Sequence, residues 1–480
     1  MDFTYLDQDA TAQAEAIRRG DVTALELLDA AVARVEASEP AINALSQRYF
    51  DEARELVSSG TLPQGPFSGV PFLLKDVFAH MAGKPTTAAA RILRDHLAPY
   101  DSELTARYRR AGLVIFGKTN VPEMASIGAC EPDLFGATHN PFAPDHTAGG
   151  SSGGAAAAVA AGYVPMAHAS DGAGSIRIPA AHCHLFGLKP SRGRITLGPD
   201  IGESAGGVTT EHVVTRSVRD SAALLDATAG GMPGDPYTAP SPRGSFRAAL
   251  ADRRRLRIAL ITDPALLCSV DPEVTAAAQE AAAVYEALGH EVREMVLPFD
   301  RAAFDHAARC FWPMTVTRTV TALAQARGVN PKELMDQLEP LNAALMAQGL
   351  TTRAVDYMLS LTCFNQAARA LGQMFEEVDL ILGPTMTGPA PKLYHYRVGP
   401  QSAESAIERM YDSFAFTFLA NATGIPAASL PFARTADGRP IGVQLMARYG
   451  DEETLLAASA ALEAARPWAA AYPFRRPGPL

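Results

Sequence analysis

Short apolar runs of strand length recur along this chain with helical stretches between them, and that alternation restricts it to few folds. Val70-Pro71-Phe72-Leu73-Leu74, Leu113-Val114-Ile115-Phe116, Val164-Pro165-Met166-Ala167, Ile258-Ala259-Leu260-Ile261, Leu380-Ile381-Leu382, Ala428-Ser429-Leu430 and Ile441-Gly442-Val443-Gln444-Leu445 are too short for stable helices and suit buried strands. Segments 102–111, 219–227, 272–288 and 452–464 carry apolar residues at helical spacing. A strand buried on both sides needs helices on both. The pattern therefore predicts an α/β fold, a single large domain whose twisted, mostly parallel mixed sheet is covered by helices on both faces.

Four stretches follow one another. Residues 1–65 read as an N-terminal helical cap, with helices at 11–18 and 24–37; Leu25, Leu27, Leu28, Ala31 and Val35 line one face of the second. Residues 66–230 form a core with the chemistry-bearing loops. Residues 231–410 read as a variable lobe against the sheet, with Pro/Gly breaks at 230–244, a Met- and aromatic-rich helical region at 304–373 and a loop at 384–400. Residues 411–480 return to the core sheet.

Composition narrows the function. With 480 residues and 48% apolar content a large core is available, and 42 basic against 52 acidic side chains give a net charge of −10. That sign opposes binding to a phosphate backbone, so no nucleic-acid partner is expected. The first residues lack the basic-then-apolar order of a signal peptide, and no run of about 18 apolar residues escapes Gly, Pro or charge. A cytoplasmic protein without a membrane partner is expected, its one macromolecular partner left open being a second copy of the chain. Cys130, Cys183, Cys268, Cys310 and Cys363 are odd in number and lack a C-x-x-C pair, which predicts free thiols. Only six of the 42 basic residues are lysines: Lys75, Lys84, Lys118, Lys189, Lys332 and Lys392. Lysine can lose its proton near neutrality and arginine cannot, so a lysine in apolar surroundings is a candidate base.

Three segments carry candidate chemistry. In Gly69-Val70-Pro71-Phe72-Leu73-Leu74-Lys75-Asp76 a lysine ends an apolar strand; taken alone it would snorkel to water or pair with Asp76. Ala148-Gly149-Gly150-Ser151-Ser152-Gly153-Gly154-Ala155 precedes an Ala-rich helix and by itself reads equally as a flexible turn. Ser170-Asp171-Gly172-Ala173-Gly174-Ser175-Ile176-Arg177-Ile178-Pro179 puts glycines ahead of a helix-start serine. Such glycines let successive backbone N–H groups face one cavity, as an oxyanion requires, although an N-cap serine would look the same.

Together these segments resemble the amidase signature family, which has a strand-end lysine, a Gly-Gly-Ser-Ser-Gly-Gly loop and a Gly-rich loop running into Ser-Ile-Arg-Ile-Pro in this order. The spacing of Ser151 and Ser175 fits, and stretches 116–123, 134–141, 186–193 and 440–445 are similar too. The resemblance spans nearly the whole chain and is weakest across 230–410. It implies Ser175 as nucleophile, Ser151 as a bridging serine after a cis peptide, and Lys75 as base. Backbone N–H groups of Gly172, Ala173, Gly174 and Ser175 would hold the oxyanion. Ser152, Asp171 and Arg177 would support the loops, and Ala125, Ser126, Ile127 and Gly128 would face the nucleophile and touch the substrate. No metal or organic cofactor is implied. The chain departs from the family at Ala173, usually glycine, and at His182-Cys183-His184, usually small and apolar; that His pair lacks a third ligand nearby. Asp9-Ala10-Thr11-Ala12-Gln13-Ala14-Glu15 and the stretch leading to Ser175 are similar to a cyclic-amide branch of the family that also tolerates alanine at 173.

The expected activity is hydrolysis of the C–N bond of uncharged aliphatic, aryl or cyclic amides, with carbamates and esters as further acyl donors. Phe311, Trp312, Met314, Tyr357, Met358 and Phe364 are expected to line an apolar mouth, though each would serve equally as core. Rival readings make other demands. Gly149-Gly150-Ser151-Ser152-Gly153 fits G-x-S-x-G, so an α/β-hydrolase-type esterase would use Ser151 with Asp379 and His395, but residues 142–150 are polar and Pro-broken where an elbow needs a strand. A glutamine-hydrolysing A subunit of a tRNA-dependent amidotransferase would need partner subunits. A silent binding module would leave Lys75, Ser151 and Ser175 without a reason to coexist.

Overall fold

The apolar runs become strands of one sheet in the computed structural model, which describes residues 3–399 and 402–475. Residues 1–2, 400–401 and 476–480, which belong to the cap, the 384–400 loop and its surroundings, and the last stretch, lie outside the described residues. In chain order the strands are β1 (Leu45–Arg48), β2 (Pro71–Lys75), β3 (Val114–Thr119), β4 (His139–Asn140), β5 (Ala143–Thr147), β6 (Met166–Asp171), β7 (Phe186–Lys189), β8 (Thr210–Thr215), β9 (Arg257–Leu260), β10 (Glu291–Glu294), β11 (Leu380–Pro384), β12 (Ala427–Arg434) and β13 (Pro440–Ala447). Eleven of them form a mixed sheet in the order β1-β3-β2-β6-β8-β7-β12-β13-β11-β9-β10, and β4 pairs with β5 apart from it.

Parallel ladders run through β3-β2-β6 and through β11-β9-β10, while the stretch from β6 through β8, β7, β12 and β13 to β11 is antiparallel. The β12–β13 hairpin turns at Asp437-Gly438, with Gly438 at φ +88°, a connection that forces antiparallel pairing. Helices form at Ala10–Arg19, Ala24–Ile42, Glu103–Arg110, Val218–Thr228, Pro272–Ala287 and Glu452–Ala465, where the periodicity predicts them. Thr23 starts the second with a capping box through Glu26.

The sheet separates two apolar cores. Ile258, Leu260, Leu380, Leu382, Ala428 and Leu445 pack into one, while Ala259, Ile261, Ile381, Ala427 and Met446 pack into the other. Successive residues of a strand point to opposite faces, so this split is the two-residue period of β structure. The second core is roofed by helices Arg301–Arg327, Pro340–Thr351 and Ala354–Glu377. Two of the four sequence stretches also feed the sheet itself: residues 45–48 of the cap supply the edge strand β1, and residues 231–410 supply β9, β10 and β11. No helix of the described residues is long and apolar enough to cross a membrane. Because β2 and β6 are adjacent and parallel, Lys75 and the loop after Asp171 leave the sheet at the same end. Ligand sites gather at such carboxyl ends.

Candidate active site

Lys75 is fully buried. Its Nζ stands 2.8 Å from Ser151 Oγ, 2.9 Å from Ser170 Oγ and 3.4 Å from the Ser170 carbonyl. Burial lowers its pKa to about 7 against the opposing attraction of Asp171, Cys130 and Glu211. Its backbone N–H donates to His168 Nδ1 at 3.1 Å, so the imidazole proton sits on Nε2, 3.0 Å from Glu211 Oε1. Asp76 does not pair with Lys75. It faces Lys118, 3.7 Å away, and accepts from Thr87. Lys118 and Lys189 are also buried, with pKa values lowered by burial to about 8 and about 7. Their Nζ atoms donate to Thr86 and to the Pro190 carbonyl, away from both serines. Of the three buried lysines only Lys75 meets a serine of the glycine loops.

Close packing explains the first loop. A Cβ on Gly149 would lie 2.8 Å from Pro179 Cα, and one on Gly150 2.6 Å from the Ala129 backbone. The peptide Gly150–Ser151 is cis. Ser152 ties this loop to the next: its N–H donates to the Ser175 carbonyl at 3.3 Å, its hydroxyl donates to the Ser170 carbonyl at 3.2 Å and accepts from the Ser170 N–H at 3.3 Å. The helix Gly153–Ala160 follows, wholly buried.

The second loop is built on a buried ion pair. Asp171 accepts from Arg177 Nε at 2.9 Å and from its Nη2 at 2.8 Å, and also from the N–H groups of Gly174 at 2.7 Å and Ile176 at 3.1 Å. Burial would raise the Asp171 carboxyl, yet the Arg177 guanidinium and its hydrogen bonds hold it at about 2. Arg177 also donates to the Thr417 carbonyl, Gln444 Oε1 and Asn421 Oδ1, which locks the loop onto the C-terminal part of the sheet. One sequence expectation is corrected here: the Gly174 N–H is taken by Asp171 and does not face the cleft. The N–H groups of Gly172, Ala173 and Ser175 have no acceptor among the described residues. The Ser175 hydroxyl likewise has no hydrogen-bond partner there, and lines the cleft beside Ser151.

Ala173 is accommodated without strain, since it is absent from the residues with positive φ. Gly174 is different: its φ is +132°, and a Cβ would come 2.2 Å from Thr417 Oγ1. Gly174→Ala should lower stability by about 3 kcal/mol or more, from backbone strain plus a clash. Ala173→Gly should cost only about 1 kcal/mol. Thermal unfolding of both variants checks this, and equal losses would refute the loop geometry.

The cleft above these loops holds about 620 Å³, its open mouth included, and is lined by Ser151, Ser170, Gly172 and Ser175, by Phe78, Met124, Ala125 and Ser126 and, from the lobe side, by Ser204, Ala205, Thr209, Trp312, Thr315, Val316, Arg318 and Thr319. Of the loop 125–128 only Ala125 and Ser126 reach it. Ile127 packs into the second core, and Gly128 is pressed against Ser413, where a Cβ would lie 2.6 Å from its Oγ. The expected apolar mouth reduces to Trp312, whose indole N–H donates to the Ser126 carbonyl at 3.2 Å. Phe311 and Phe364 are core, Tyr357 stacks on Phe311, and Met358 is exposed. Their helical spacing could not tell core from cleft. His182 and His184 diverge, His184 packing edge-on against Phe142 and Tyr472 while His182 lines a separate cavity.

The elbow-type alternative does not assemble. Ser151 meets Lys75, Asp379 is engaged by Arg257 at 3.0 Å, and His395 lines the separate cavity with His182. Ser170, His168, Glu211, Thr417 and Asn421 complete the site and were not singled out from sequence. Ser170 lies within the quoted nucleophile segment, but nothing local marks it as a lysine partner.

Comparison with known proteins adds four findings. The model of the amidase family matches residues 26–456. The 6-aminohexanoate-cyclic-dimer hydrolase of Paenarthrobacter ureafaciens is 38% identical over 505 residues, covering 98% of this chain and 98% of that protein. The structure of 6-aminohexanoate cyclic dimer hydrolase complexed with substrate is similar with a TM-score of 0.90 at 36% identity, over 98% of this chain and 100% of that one. A bacterial aryl acylamidase belonging to the amidase signature family gives a TM-score of 0.87 at 28% identity, over 98% of this chain and 99% of that one.

Proposed function

This chain belongs to the amidase family and hydrolyses amide C–N bonds, and we propose that it does so by passing the acyl group through Ser175. The observation that carries the reading is the 2.8 Å contact between the buried Lys75 Nζ and Ser151 Oγ, at the floor of a cleft that Ser175 also lines. Neutral Lys75 accepts a proton from Ser151 as Ser151 accepts one from Ser175. Ser175 Oγ then adds to the amide carbonyl carbon. The missing Ser151–Ser175 contact is of the kind that tightens only when substrate is bound.

The N–H groups of Gly172, Ala173 and Ser175 are the donors for the oxyanion, each worth roughly 3 kcal/mol in such a role. As the tetrahedral intermediate collapses, the proton on Lys75 returns through Ser151 to the amine nitrogen and the C–N bond breaks. Water repeats the sequence on the acyl-enzyme, releasing the carboxylic acid and restoring Ser175. Ala125 and Ser126 hold the substrate opposite the nucleophile. Linear and cyclic amides are the substrate class that the relatives' names support, and the same relay accepts esters and carbamates.

A serine-directed fluorophosphonate tests the assignment. One adduct is expected, on Ser175, with labelling at least about tenfold slower in Lys75→Ala. An adduct on Ser151 alone, mapped by peptide mass spectrometry, would overturn it.

A further inference from the structure

We propose that Arg318 selects substrates that carry a carboxylate away from the scissile amide bond. The inference rests on the Ser175 reading and names the substrate class for that same cleft. Arg318 is the one charged side chain among the residues that line it, and no carboxylate lines it. The remaining polar lining on the lobe side is hydroxyl: Ser204, Thr209, Thr315 and Thr319.

The state of this arginine differs from that of its neighbours. On the helix Arg301–Arg327, Arg309 pairs with Asp305 and Glu408, Arg301 lies 3.6 Å from Asp263, and Arg327 donates to the Ile92 carbonyl. Arg318 has no ion pair or hydrogen bond among the described residues. Glu203, which with Arg318 acts on the Tyr357 hydroxyl, accepts from the Tyr237 hydroxyl at 3.1 Å. The helix is also held in place across the cleft, since the Trp312 indole is tied to the Ser126 carbonyl. A guanidinium left unpaired at a cleft rim offers a planar, two-pronged donor set that matches a carboxylate. The scissile amide stays uncharged, and the anion lies at the far end of either the acyl group or the amine.

Two pairs of substrates separate those ends. The 4-nitroanilide of glutaric acid is compared with that of pentanoic acid for the acyl side, and 4-acetamidobenzoate with 4-acetamidotoluene for the amine side. In the wild type one pair is expected to show kcat/KM at least about tenfold higher for the anion, a ratio that falls as salt is raised. The ratio should drop at least about fivefold in Arg318→Met and below one in Arg318→Glu, with Arg318→Lys between. A wild-type ratio of one or less in both pairs, or a ratio unchanged in the Met and Glu variants, overturns the proposal. Turnover of the neutral anilide and its loss in Ser175→Ala report separately on the Ser175 reading. Should no anilide be cut, either glutaric acid monoamide or 4-acetamidobenzoate should slow fluorophosphonate labelling of Ser175 in the wild type and not in Arg318→Met; equal protection of the two proteins, or none from either compound, overturns it.

Discussion

Ser175→Ala is expected to lower kcat by at least about 10⁴-fold while changing stability by less than about 0.5 kcal/mol. The two halves of that result have different causes. Turnover is lost because Ser175 Oγ is the atom that carries the acyl group, while Ser151 Oγ, in contact with Lys75 Nζ, passes the proton. Stability is kept because the Ser175 hydroxyl has no hydrogen-bond partner among the described residues and faces the cleft, so its removal orphans nothing. Ser151→Ala should behave differently, cutting turnover while also leaving a buried amine with one partner fewer. Steady-state rates on an anilide, read beside calorimetric unfolding, make the comparison. A Ser175→Ala protein with wild-type rates would sink the acyl-enzyme reading, and one that fails to fold would show that the serine supports the loop.

What the sequence disclosed follows from locality. Lys75, Ser151, Ser152, Asp171, Ser175 and Arg177 were legible because each sits in a short run whose glycines or apolar strand betray the geometry needed. Helices with a polar face were legible for the same reason. Strand β8 was not, because Thr210-Glu211-His212-Val213-Val214-Thr215 reads as polar although all six residues are buried. Two of its polar side chains find partners only in the folded chain, Glu211 across the sheet at His168 and His212 Nε2 at Ser221 of the helix Val218–Thr228. β10 was hidden for the opposite reason: as an edge strand it is charged and largely exposed. Thr417, Asn421 and Gln444 reach Arg177 from segments more than 200 positions away, and only the folded sheet brings them there. The 125–128 loop and the aromatic set show the reverse error, in which a run near the site includes residues whose side chains turn to the core. Arg318 escaped because an arginine on a helix rich in arginine carries no local mark; only its lack of a partner distinguishes it.

The second large effect concerns the base. A lysine acts as a proton acceptor only when neutral, and burial brings Lys75 to about 7 from its ordinary 10.5. The sign is then fixed: below about pH 7 Lys75 is protonated and the relay is blocked, so kcat/KM should rise through an apparent pKa near 7 and level off above it. Lys75→Ala should lose at least about 10³-fold and remove that limb. Lys75→Arg should not restore it, because a guanidinium keeps its proton throughout. Stability provides an independent reading of the same group. Between about pH 7 and 10.5 the unfolded chain holds the Lys75 proton and the folded chain does not, so unfolding free energy should climb with pH across that window. Lys75→Met should lose Lys75's share of the climb, the shares of Lys118 and Lys189 remaining, and, freed from the need to bury one amine, be the more stable protein at neutral pH. A limb that persists near 7 in Lys75→Ala would move the titration to another group, Lys189 being the first to test because burial brings it to about 7 as well. A wild-type profile that rises only near 10 would mean that Lys75 is charged at neutrality, and a charged lysine cannot start the proton relay.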